Sequence, residues 1–165
     1  MKLSDFTCIN NNVDLDDYLK LYKYVIDNMK NKEWLGTFTK EEIKDILSLG
    51  GKIWLYYDEE ILVCSMFYIP SNQKTLDKRK INTKSSVTAS LGPIMVSPNY
   101  IGNKLMSQML EVFNDYCKSI GMKYIFTKAH SNNIYSINNM YKDNYELIES
   151  YTNERGQMSA FLKKL

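Results

Sequence analysis

The chain has 165 residues, 44% of them apolar and 24% charged, with a formal net charge of +2. That length suits one domain with a core of its own, expected to span residues 1–165, and the charge is too small to argue for a nucleic-acid partner. No apolar run is long enough to cross a bilayer and the opening MKLSDF has no apolar signal core, so the expected setting is cytoplasmic, with no membrane partner. In chain order, residues 3–9 read as a short first strand. Asp14 or Asp16 can cap a helix running to about Met29, with Leu15, Leu19, Tyr22, Val25, Ile26 and Met29 on one face. Thr39, followed by Glu41 and Glu42, opens a second helix that turns Ile43, Ile46 and Leu47 inward and ends at Gly50 and Gly51. KIWLYY (52–57) and ILVCSMFYI (61–69) then read as a hairpin about Asp58, Glu59 and Glu60.

The next stretch, SNQKTLDKRKINTKSS (71–86), is polar, basic and aperiodic, and is expected to be a long loop or mobile flap. Its Lys74, Lys78, Arg79, Lys80 and Lys84 form either a solvated charge run or a surface for an acidic partner. VTASLGPIMV (87–96) is a strand interrupted by Gly92 and Pro93, a bulge or a freed edge. A helix over about 102–120 places Leu105, Met109, Val112, Phe113, Tyr116 and Ile120 on one stripe, and Gly121 stops it. MKYIFTKAH (122–130) is a strand that a right-handed crossover sets parallel to strand 87–96. A helix (133–144) and a closing hairpin (145–152 with 157–165) complete the chain. The order β-α-α-β-β-β-α-β-α-β-β gives an α/β (α+β) chain with one mixed sheet and helices on its faces.

Two places carry chemistry. In VSPNYIGNKLMSQML (96–110) a strand passes into a helix, and the first turn of any helix leaves N–H groups unpaired at the positive end of its dipole. Phosphates suit such an end if the backbone is reachable, and Gly102 permits close approach. Lys104 there either meets a bound pyrophosphate or points into water. Asn133 begins the next helix, where it acts as a cap or as a ligand donor. Cys8, Cys64 and Cys117 read as reduced thiols without metal spacing, and with His130 as the one histidine no metal site is expected.

Val96, Pro98 and Gly102 fit the frame Val-x-Pro-x-x-Arg-Gly-x-Gly-x-Gly, with Ile101, Lys104 and Met106 at the positions of Arg and the later glycines. Asn133, Ser136 and Tyr145 fit Asn-x-x-Ala/Ser-x-x-x-Tyr-x-x-x-Gly-Phe/Tyr, with Met140 at the Tyr and Asn144 at the Gly. Together with the element order, these patterns resemble the GNAT superfamily of acyl-CoA-dependent N-acyltransferases. The resemblance implies a single, mostly antiparallel mixed sheet with helices on both faces, and acetyl-CoA as cosubstrate. It places the pyrophosphate on Ile101, Gly102, Asn103, Lys104, Leu105 and Met106. The pantetheine arm would lie along the backbone of Ile94, Met95 and Val96, with Asn133, Ser136 and Met140 on the far wall. It implies direct attack of a primary amine on the thioester, with a small-molecule or peptide acceptor and no covalent enzyme intermediate, in a monomer or homodimer.

The acid and base stay open. His130 ends the strand beside the cleft and histidine titrates near neutrality, so it is either the base or a buried ring with a structural hydrogen bond. Tyr141 adjoins Met140, but one helical step turns a side chain by about 100°, so it does not simply substitute as the acid. Glu33, Glu41 and Glu42 could hold or deprotonate an amine, or be surface carboxylates. Trp34, Phe38, Trp54, Tyr56 and Tyr68 could line an acceptor pocket or pack in the core. Two other readings are an acyl-CoA-binding sensor without turnover, and an adaptor acting through the 71–86 loop.

Overall fold

The computed structural model describes residues 1–9 and 15–165. Along the chain run β1 (Thr7–Ile9), α1 (Asp16–Asn28), α2 (Lys40–Ser48), β2 (Lys52–Asp58), β3 (Ile61–Pro70) and α3 (Gln73–Lys78). These are followed by β4 (Thr88–Val96), α4 (Leu105–Ser119), β5 (Tyr124–His130), α5 (Ile134–Lys142), β6 (Glu146–Asn153) and β7 (Gly156–Lys164). The strands form one sheet in the order β1-β2-β3-β4-β5-β7-β6, in which β4 and β5 are parallel and the other neighbours antiparallel. No described helix is long and apolar enough to cross a membrane.

Each face of the sheet carries its own core. Met109, Phe113 and Cys117 of α4 and Met140 of α5 pack on Cys64, Met66, Tyr68, Ala89 and Leu91. On the other face, Tyr18 and Leu21 of α1 and Ile43 and Leu47 of α2 pack on Ile53, Leu55, Phe67 and Met95. Each fully buried large side chain contributes roughly 1.5–3 kcal/mol. The inward stripes differ by a step from those expected. In α1 the buried line is Leu15, Tyr18, Leu21 and Val25, while Leu19, Tyr22, Ile26 and Met29 flank it half-buried. In α4 the line includes Leu110 and Cys117, and Ile120 is exposed beyond the helix.

The helix ends separate into closed and open ones. At α2, Thr39 and Glu42 form a reciprocal box: the Glu42 N–H donates to Thr39 Oγ1 at 3.1 Å and the Thr39 N–H donates to the Glu42 carboxylate at 2.7 Å. Asp16 lies in the first turn of α1 behind Leu15 rather than at the cap, and Asp14 falls outside the described residues. The first strand is shorter than expected, because residues Leu3–Asp5 form a 3-10 turn.

The 71–86 stretch is a correction. It is packed, not a free flap: Leu76 and Ile81 are buried against Phe126 and Ala160. Asn72 caps α3 by accepting the Lys74 N–H at 2.9 Å, and the Gln73 side chain ties the far end through Thr83 and Ser85. Arg79 pairs with Glu149 at 3.2 Å and lies over the Tyr151 ring, which removes it from the adaptor surface expected of this segment. Two apolar residues five apart hold down a stretch whose remaining composition reads as loop.

What positions the site is a split in the sheet. β4 and β5 pair only at Thr88↔Tyr124, Ala89↔Ile125 and Ser90↔Phe126. One more bond, from Thr127 Oγ1 to the Leu91 carbonyl at 3.0 Å, marks where they part. Beyond it β4 stays with β3 as far as Val96, and β5 stays with β7 as far as His130. The cause is the Gly92-Pro93 bulge, where the register against β3 shifts between Met66 and Tyr68. Gly92 is required there, since a Cβ would stand 3.0 Å from the Cβ of Phe67 and 2.9 Å from Ile69 Cδ1.

Candidate functional site

The split turns backbone toward an open space. The Ser97 N–H donates to the Val63 carbonyl at 2.7 Å, and this fixes the phase of the β3–β4 ladder. Alternate residues of an antiparallel strand point to opposite neighbours, so Ser97 and Met95 face β3 while Ile94 and Val96 present N–H and C=O to the gap. Of the three expected backbone contacts, Met95 is therefore the exception, and its side chain is buried against α1 and α2.

Next to the gap, residues Pro98–Tyr100 make a 3-10 turn and α4 begins. Among the described residues, none of the backbone N–H groups of residues 102–107 has an acceptor. Gly102 (φ +95°) and Lys104 (φ +58°) are left-handed on either side of Asn103, so successive N–H groups curl into a concave nest. A Cβ at Gly102 would meet nothing within 4 Å, so the loop stands open even with one glycine. Lys104 occupies the cap position of α4 with no side-chain cap bond. Ile101 is 73% exposed at the loop tip, and Leu105 and Met106 turn inward to pack on the core. Left-handed backbone at a lysine costs on the order of 1 kcal/mol, and such strain gathers at functional sites.

α5 forms the far wall. Asn133 caps it by accepting the Ser136 N–H at 3.1 Å, and its own amide N–H groups have no acceptor among the described residues. Cap and ligand donor are thus compatible roles for one side chain. Bonds from Ser107 Oγ to Asn139 (3.2 Å) and from Asn114 to the Asp143 carboxylate (3.0 and 3.2 Å) hold α5 against α4. Met140 is 3% exposed and packs in the α4-side core, so it offers no surface to a ligand, contrary to expectation. Tyr141 is half exposed, with its ring edge-on to that of Phe161 on β7.

Of the two roles weighed for His130, the structure shows the buried ring with structural hydrogen bonds. It is 5% exposed, its Nδ1 accepts the Asn132 N–H at 3.2 Å, and its Nε2 therefore carries the proton and donates to the Arg155 carbonyl at 3.1 Å. Both nitrogens are engaged, and the ring buttresses the β6–β7 turn. Glu42 is held in its capping box, while Glu41 and Glu33 are exposed. Trp54 and Tyr68 are core residues, Tyr56 stacks with Phe6, and Phe38 stacks with Phe67. Only Trp34 of the expected aromatics stands beside α5, with its ring 6.5 Å from that of Tyr135.

Sequence reasoning missed the roof of the gap. Arg155, in the β6–β7 turn, donates from Nε (3.3 Å) and Nη2 (2.8 Å) to the Glu33 carbonyl in the α1–α2 connection. A Cβ at Gly36 would stand 3.5 Å from Arg155 Nη1 and 3.9 Å from Pro93 Cγ, so this bridge lies at the β4 bulge. An arginine 122 residues away from its partner leaves no trace in local pattern.

No family model matches the chain, and no curated protein matches it in sequence. Solved structures do match in fold. An N-acetyltransferase from Staphylococcus aureus Mu50 superposes with a TM-score of 0.71 at 16% identity, over 96% of this chain and 96% of that one. Ribosomal-protein-alanine N-acetyltransferase from Brucella melitensis gives 0.71 at 13% identity, over 97% and 99%. The yncA protein of Salmonella typhimurium, solved with its cofactor acetyl-CoA, gives 0.67 at 12% identity, over 98% and 94%.

Proposed function

We propose that this chain, which has the GNAT acetyltransferase fold, moves an acetyl group from acetyl-CoA to a primary amine by direct attack. The observation that carries the reading is the run of six N–H groups at the head of α4 with no acceptor among the described residues, beside a sheet split that exposes the backbone of Ile94 and Val96. The residues fit the cosubstrate. The nest of residues 102–107 and the Lys104 ammonium suit a pyrophosphate, and Ile94, Val96 and the Asn133 amide suit the amide-bearing arm.

Acetyl-CoA supplies an activated carbonyl and a good leaving group. The N–H of Ile94 or Val96 faces the gap, where it can stabilise the oxyanion as the amine attacks. Since both His130 nitrogens are engaged, the amine gives its proton to water. The thiolate departs without a phenol, because Met140 is buried and Tyr141 lies over β7. The acceptor approaches from the α1–α2 face, under the Arg155–Glu33 bridge.

Thermal unfolding with acetyl-CoA and with CoA tests the reading. A ligand at a hundred times its Kd stabilises by about 2.7 kcal/mol, and no shift with either ligand would sink it. Thiol release on adding amines then separates turnover from binding alone. The missing phenol favours a second reading, an acyl-CoA sensor, for which stabilisation without thiol release is the expected result.

A further inference from the structure

The face opposite α4 is cationic where the acceptor would enter. Along β5, Thr127 bonds across to β4 and Phe126 packs under α3, so Lys128 shares the α3 face by strand alternation. No hydrogen bond or ion pair holds Lys128 among the described residues. Its charged neighbours are Lys78, Arg79 and Arg155, opposed by the carboxylate of Glu154. Desolvation by the surrounding segments, and then the like charges of Arg79 and Arg155, pull its ammonium below the ordinary lysine value.

Arg79 is already paired with Glu149, whereas among the described residues no carboxylate forms an ion pair with Arg155. Its Nε and Nη2 clamp the Glu33 carbonyl, which fixes the guanidinium plane and leaves Nη1 beside Gly36 and Pro93. The clamped segment holds a third donor, the Trp34 indole N–H, buried with no acceptor among the described residues.

We propose that the acceptor is a small amine that carries its own anion, a carboxylate or a phosphate, and that Arg155 and Lys128 bind this group. This rests on the acetyltransferase reading and narrows its substrate class. A simple cationic amine would meet like charges at this face, whereas an amine with an anion brings compensation. The same cations disfavour the ammonium form of the amine, which helps an enzyme whose one histidine is engaged. The clamp holds the guanidinium in place with its Nη1 end still able to donate to a carboxylate or phosphate oxygen, and the Lys128 ammonium adds a point charge.

The test uses amine pairs that differ only in the anion: an ω-amino acid against its amide, and an aminoalkyl phosphate against the amino alcohol. The two arms distinguish carboxylate from phosphate. Thiol release should favour at least one anionic member by about tenfold or more in kcat/KM, mainly through KM. In Lys128→Met, which keeps the stem, and in Arg155→Lys, which loses the fork, that preference should shrink several-fold. Stabilisation by acetyl-CoA shows that each variant is folded. Equal use of both members of both pairs, or a preference untouched in both variants, overturns the proposal. If no amine is turned over, calorimetric binding of the same pairs to the CoA-bound protein decides, and equal affinities overturn it. Failure to bind acetyl-CoA would instead strike the acetyltransferase reading.

Discussion

The heads of α2 and α4 are both helix starts on the same sheet, and they are built in opposite ways. At α2, Thr39 and Glu42 satisfy each other's N–H groups and nothing is left for a ligand. At α4, Lys104 holds the cap position in a left-handed conformation, and the N–H groups of residues 102–107 have no acceptor among the described residues. A good cap is worth about 0.5–2 kcal/mol, so α4 forgoes stability at the place where an anion would restore it. An unfinished helix end is therefore more informative than a finished one.

The largest expected effect tests whether that contrast depends on titrating groups. Cys64 and Cys117, the latter on the inner side of α4, have thiols pushed up to about 12 by burial. Below pH 9 these thiols are protonated in both states. Above it the unfolded chain loses its protons first, so the folded state binds more and stability falls, by several kcal/mol as pH rises from about 9 toward 12. Tyr57, raised to about 12 by partial burial and its bond to Asp17, adds to the loss above pH 10. Backbone N–H groups do not titrate, so the increment in Tm given by acetyl-CoA should stay nearly constant from pH 7 to 9. A steep change in that increment would mean that a side chain, not the nest, holds the ligand.

Lys104→Glu puts a tethered carboxylate where the pyrophosphate would sit. The free protein should gain about 0.3–1 kcal/mol from the helix dipole. Acetyl-CoA affinity should drop about a hundredfold, or roughly 2.8 kcal/mol. Calorimetry and thermal unfolding read the two signs separately, and a variant that binds acetyl-CoA normally would break the contrast.

Thr39→Ala at α2 is the mirror experiment with the smallest effect. It should cost about 1 kcal/mol, a fall in Tm of a few degrees, while leaving the acetyl-CoA shift intact. If it weakened acetyl-CoA binding as much as it weakened folding, the two helix ends would not be independent.

Much of the arrangement was legible in the chain. The β3–β4–α4–β5 order, the Gly92-Pro93 bulge, the Thr39 box and the Asn133 cap each follow from a local rule that involves neighbours within a few residues. The misses share a different origin. The 71–86 stretch is ordered by Leu76 and Ile81 docking on Phe126 of β5 and Ala160 of β7, strands that come much later in the chain. His130 is held by bonds with the Asn132 N–H and the Arg155 carbonyl, the second of which reaches the β6–β7 turn.

The amino-acid sequence by itself determined most of the elements, the place where a parallel pair would break, and a helix start with reachable backbone at Gly102, because turn chemistry and hydrophobic period act over short range. Only the tertiary structure decided that Ile94 and Val96 face the gap and Met95 does not, since strand phase is set by the partner strand. It alone placed Lys128 and Arg155 on the sheet face opposite α4, because long-range packing, not local pattern, chooses which side chains meet.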